Sequence, residues 1–125
     1  MLENPAWAAL SGPQACFAEA SGDAARYSSD ISPFAAMADV ADPAGWRDLA
    51  TLTDYALLTA PAINPQPGWE AAVTMPGLQM VGTGMTGVED PEAVLLTETD
   101  VPEMLELVER AQPGQFGIGN VFIGV

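Results

Sequence analysis

The chain of 125 residues contains no histidine, no lysine, three arginines and one cysteine. Each absence closes a class of chemistry. Without histidine there is no imidazole acid or base, no Ser-His or Cys-His pair, and none of the usual zinc sites. Cys16 stands alone, so no internal disulfide can form. Three arginines against seventeen acidic residues give a formal net charge of −14. That balance opposes a nucleic-acid groove, which needs clustered Lys and Arg. It opposes an anionic membrane surface for the same reason. No apolar run is long enough to span a bilayer. The opening MLENPAWAAL carries Glu3 and no early cation, unlike a secretory signal. A cytoplasmic location is the resulting expectation.

Apolar content is plentiful. Hydrophobic residues make up 49% of the chain, enough to exclude bulk disorder. A chain of this length can bury roughly two-thirds of its surface. Asn4-Pro5 reads as a cap followed by proline at the first helical position, with a stop at Gly12-Pro13. Residues 14–20, QACFAEA, suggest a short strand, and RYSSDISPF a loop with brief extended pieces. Asp42-Pro43 repeats the cap-then-proline start. Trp46, Leu49, Ala50 and Thr53 then follow at helical spacing on one face.

Strand expectations follow. YALLTA, 55–60, reads as a buried strand ended by Pro61. Trp69, Ala71, Val73 and Met75 alternate with Glu70, Ala72 and Thr74, the period of a half-buried strand. Pro76-Gly77 would turn the chain, and LQMV would return. GTGMTGVEDPE, 82–92, reads as a linker. The domain expectation is an extension over 1–90 and a second unit over 91–125. The fold class is α/β in the α+β sense: a small mixed sheet with two to three helices.

The most regular stretch is VLLTETDVPEMLELVERAQPGQFG, 94–117. VLLT predicts a strand. Asp100 predicts a helix cap, with Glu103 closing a capping box and Pro102 in the first turn. Val101, Met104, Leu105, Val108 and Ala111 form an apolar stripe. Glu106 and Arg110 are a favourable i, i+4 pair. Pro113-Gly114 predicts the stop. NVFIGV then reads as one apolar strand.

Candidate sites each carry a plainer reading. Gly82-Thr83-Gly84-Met85-Thr86-Gly87 is a literal G-x-G-x-x-G, but VEDPE follows where a helix should begin, and Glu89, Asp90 and Glu92 would repel a pyrophosphate. A flexible linker accounts for it better. Glu98, Asp100, Glu103, Glu106 and Glu109 fit a solvated helix face rather than a metal cluster. Cys16, between Ala15 and Phe17, fits a small core residue. Trp7, Trp46 and Trp69 fit core anchors. Tyr27 and Tyr55 could serve as acids, and nothing in the sequence singles them out. No residue is assigned to catalysis, cofactor binding or metal ligation.

The 94–116 stretch resembles the first strand and first helix of the GNAT superfamily of N-acetyltransferases. In one bacterial subgroup that unit precedes a Pro-Gly-Pro-Phe segment; here Gln115 replaces the second proline. The upstream region resembles that subgroup's N-terminal extension. The carriers are PAWAAL with Gly12-Pro13, Ala25-Arg26-Tyr27, Ser32-Pro33-Phe34, the Trp46/Leu49/Ala50 helix, Gly68-Trp69 and Gln79-Met80-Val81. The resemblance implies a full-length relative that moves acetyl from acetyl-CoA to an amine. In that family the pyrophosphate rests on a Gln/Arg-x-x-Gly-x-Gly/Ala loop at a helix start, after the first strand and helix. Gln79 to Gly84 matches that motif but precedes the strand, so the cofactor role is not carried onto it. The expectation is therefore a truncated unit that binds no cofactor itself. Its apolar C-terminal strand would meet a second copy or a complementing half. The alternative is an acidic interaction or dimerisation module.

Overall fold

The computed structural model describes residues 3–113. Gly114 of the expected Pro113-Gly114 stop and the expected strand NVFIGV lie outside the described residues.

A three-stranded antiparallel sheet forms the centre, in the order β1 (Ala18–Ser21), β2 (Ala24–Tyr27), β3 (Ala35–Met37). Helix α1 (Pro5–Leu10) covers one face and α2 (Pro43–Leu52) the other. The pleat explains the division. Ala25, Tyr27 and Ala36 point toward α1, packing with Leu10 and Ile31. Ala24, Ala35 and Met37 point the other way, onto Trp46 and Leu49. Alanine dominates these strands because both faces carry a helix. Small side chains let the two helices come close.

Gly45 extends that logic on α2. A Cβ there would lie 3.2 Å from the Met37 Cβ. Its absence allows α2 to rest on β3.

The helix starts are as the sequence reads, with one difference of mechanism. Asp42 caps α2 by accepting from the Ala44 backbone N–H at 2.9 Å. Asn4 occupies the cap position of α1 without capping it. Its Nδ2 donates instead to the Met37 carbonyl at 2.8 Å, pinning α1 to β3. The buried face of α2 is Gly45, Trp46 and Leu49, whereas Ala50 faces solvent.

The strands depart further. Residues 15–17 form a 3-10 turn, and only the end of the expected 14–20 strand, from Ala18, pairs. The region expected as loop supplies β2's Arg26 and Tyr27. YALLTA makes one parallel bridge, Phe34 with Leu57, and no strand. The Ala35 N–H donates to the Leu57 carbonyl at 3.0 Å and the Leu57 N–H to Pro33 at 3.3 Å. Pro33 has no N–H to extend that ladder. Residues 69–75, 78–81 and 94–97 form no strands. Only Trp69 among them packs on the core. Alternation alone does not make a strand; it needs a neighbour with free backbone groups, and these stretches have none among the described residues. The expected turn at Pro76-Gly77 is likewise absent, and 82–92 is irregular and exposed.

Helix α3 (Val101–Ala111) forms as read, preceded by a 3-10 turn over Glu98–Asp100. The cap is displaced. Asp100 does not cap α3; its Oδ2 accepts from the Thr97 backbone N–H at 2.8 Å. The reciprocal pair is thus Thr97/Asp100 rather than Asp100/Glu103. Gln112, at φ 48°, ends the helix in the left-handed region, ahead of Pro113. No residue of α3 is fully buried; Val101, Met104, Leu105 and Val108 are half-buried.

Candidate functional site

The sequence motifs and the clefts fall in different places. Residues 79–87, which hold both glycine motifs, are exposed throughout. A turn closes from the Met85 N–H to the Gly82 carbonyl at 3.0 Å, and Gly84 sits at φ +86°. No helix begins there; the next is α3 at Val101. Backbone N–H groups are therefore not gathered at a helix N-terminus, the arrangement that would hold a pyrophosphate. The residues of this stretch gather no donors that would fit the phosphates of acetyl-CoA.

The carboxylates of the 98–109 stretch do not converge. Glu98, Glu103, Glu106 and Glu109 are exposed. Glu106 lies 4.0 Å from Arg110 in the expected i, i+4 pair. Among the described residues no group of three or more acidic or cysteine side chains could hold a metal ion. Cys16 is exposed, contrary to the expected core position. The 3-10 turn is the cause: it directs Phe17 onto the α1 cluster and leaves Cys16 outside.

The aromatics divide. Trp46 is 4% exposed and is the core anchor expected. Trp7 and Trp69 are half-buried at the edges of the two clusters. Trp69 meets Trp46 edge-on, with centroids 5.8 Å apart and planes at 62°. Tyr27 is buried and its hydroxyl donates to Gln14 Oε1. Burial pushes its phenol above the ordinary range. Tyr55 is 71% exposed.

Two clefts remain. The smaller, about 240 Å³, is lined by Arg26, Ser29, Ser32, Thr53 and Tyr55 among others. Its cation is committed elsewhere: Arg26 donates to Glu19 Oε2 at 2.8 Å across the β1–β2 pair. The larger, about 670 Å³, lies between the outer face of α2 and the 66–69 turn. Arg47 and Asp54 line it together with Trp46 and Trp69. The turn is held by the Trp69 N–H donating to Gln66 at 3.0 Å, with Gly68 at φ +94°. Trp69 Nε1–H then donates to the Trp46 carbonyl at 3.3 Å.

Sequence reasoning missed this cleft. The sequence offered only Arg47, one of three cations, on a capped amphipathic helix, and nothing that tied it to Asp54 or to the 66–69 turn.

No protein-family model matches the chain, and no curated protein matches it in sequence. One solved structure is similar at TM-score 0.68 and 31% identity over 95% of this chain. It comes from Novosphingobium aromaticivorans, and its description assigns it to the acetyltransferases of the GNAT family. This chain spans 54% of that protein's length.

Proposed function

We propose, from the premise that this chain belongs to the GNAT superfamily, that its residues form part of an N-acetyltransferase that moves acetyl from acetyl-CoA to an amine, in the cytoplasm. In this reading residues 1–90 are an extension and 91–125 open the catalytic core, with α3 as the core's first helix. The observation that carries it is the likeness to the acetyltransferase at 31% identity over 95% of this chain. It agrees with the sequence resemblance, which rests on separate short stretches from PAWAAL to the 94–116 unit.

Residues 1–125 by themselves bind no acetyl-CoA and transfer no acetyl group. Support comes from the 79–87 stretch, which is exposed, starts no helix, and is followed by Glu89, Asp90 and Glu92. An oxyanion or phosphate needs gathered N–H donors or cations, and this stretch offers neither. The net charge of −14 opposes nucleic acid as a partner. No helix among the described residues is long and apolar enough to cross a membrane.

Titration calorimetry with acetyl-CoA tests the reading. No saturable heat is expected; micromolar binding would overturn it. A second reading, a docking or self-association module, is favoured by one observation. Val73, Met75, Leu78, Met80, Met85, Val88, Val94 and Leu95 are each at least 75% exposed within one stretch.

A further inference from the structure

We infer that the cleft between α2 and the 66–69 turn is a binding site for a short zwitterionic peptide. The inference starts from the chain's scarce cations. Arg26 is paired with Glu19 at 2.8 Å, and Arg110 lies 4.0 Å from Glu106. Arg47 forms no ion pair among the described residues, although the chain carries seventeen carboxylates. It lines the larger cleft, where a planar guanidinium can grip a carboxylate through two parallel N–H bonds.

Asp54 lines the same cleft and also forms no ion pair among the described residues. The two opposite charges share one concavity without bridging it. A single-charged ligand would satisfy one and leave the other facing it. A ligand with a carboxylate at one end and an ammonium at the other satisfies both.

Much of the remaining lining is apolar. Both indole N–H groups are committed, Trp46 Nε1–H to the Val40 carbonyl at 2.8 Å and Trp69 Nε1–H to the Trp46 carbonyl at 3.3 Å. What Trp69 and Pro43 present to the cleft is ring surface, suited to an apolar side chain. The half-buried Gln66 adds an amide that can serve both as donor and acceptor for a peptide group.

Arg47 sits on α2, whereas Asp54 follows the helix's last residue, Leu52, and an extended Thr53, so the two charges are carried on different pieces of backbone around one cleft. The cleft is an open groove of about 670 Å³. This site is independent of acetyl transfer, and its test contains no acetyl-CoA, so the two readings fail separately.

The test is calorimetry of the full chain with the tripeptide Ala-Phe-Ala, free at both ends, against its N-acetylated, C-amidated form. Saturable binding of the free form is expected, at least tenfold tighter than the capped form. Arg47→Gln and Asp54→Asn should each weaken the free peptide at least fivefold and leave the capped form unchanged. Both residues are exposed, and circular dichroism serves as the check that the variants fold. Absence of saturation up to about 10 mM, or equal binding of free and capped peptides, overturns the assignment. So does a variant without effect, which would reduce the ligand to a singly charged one.

Discussion

Leu49→Ala is the sharpest probe of how this chain holds together. Leu49 is 0% exposed, packed among Ala24, Ala35, Met37 and Trp46. Burying a leucine side chain contributes about 1.5–3 kcal/mol. Truncation adds a cavity term, bringing the expected loss to about 3–4 kcal/mol. The packed unit runs over roughly 65 residues, from Pro5 to Trp69. At about 0.05–0.15 kcal/mol per residue its net stability is on the order of 3–10 kcal/mol. The substitution therefore removes a third of it or more. Urea titration followed by tryptophan fluorescence reads the loss directly, because Trp46 lies in the same cluster. Two companions calibrate it. Leu49→Met keeps the volume and should cost under about 1.5 kcal/mol. Leu107→Ala, at a site 58% exposed on α3, should change stability by no more than about 0.5 kcal/mol. A Leu49→Ala loss below about 1 kcal/mol, or one matched by Leu107→Ala, would refute the two-cluster account.

Gly22→Ala should destabilise by at least about 1 kcal/mol in the same assay. Gly22 sits at φ +53°, and a Cβ there would lie 2.3 Å from Asp48 Oδ2, the atom that accepts the Asp23 N–H at 2.9 Å. Tyr27 gives a pH dependence. Its folded pKa is raised by burial, so its contribution is complete below the unfolded value near 10 and falls as pH rises through the folded value. The urea midpoint should decline above about pH 10, and less steeply in Tyr27→Phe, which also loses the bond to Gln14.

Helices were legible because their signals are local. Asp42-Pro43 marks a start within two residues, and the 101–111 stripe repeats at helical spacing on its own strand of chain. The sheet was not, because its strands AEAS, AARY and AAM contain no β-branched residue and their pairing is decided by the helices on both faces. One signal was available. Gly22-Asp23 is a two-residue hairpin loop, with Ser21 opposite Ala24. The converse error came from WEAAVTM and VLLT, where a strand pattern stands without a partner. Cys16 misled for a related reason: its neighbours are apolar, but a 3-10 turn alternates exposure on a different period. The Arg47–Asp54 cleft was invisible because half of it, the 66–69 turn, comes from elsewhere in the sequence.

The exposed apolar stretch and the charge of the chain oppose each other, and salt decides between them. Residues 73–95 present valine, leucine and methionine side chains to water, an arrangement that drives association. Like-charged chains at −14 repel across the same approach. The screening length is about 10 Å at 0.1 M salt and about 3 Å at 1 M, while apolar attraction is not screened at all. Association should thus rise with salt, the reverse of a contact held by ion pairs. Size-exclusion chromatography with light scattering at both salt concentrations measures it. Replacing Leu78, Met80 and Val81 by serine should abolish the salt-induced species without shifting the urea midpoint, since these three side chains are 98%, 93% and 62% exposed. An assembly that dissolves as salt rises, or that survives the triple substitution, would place the contact on another surface.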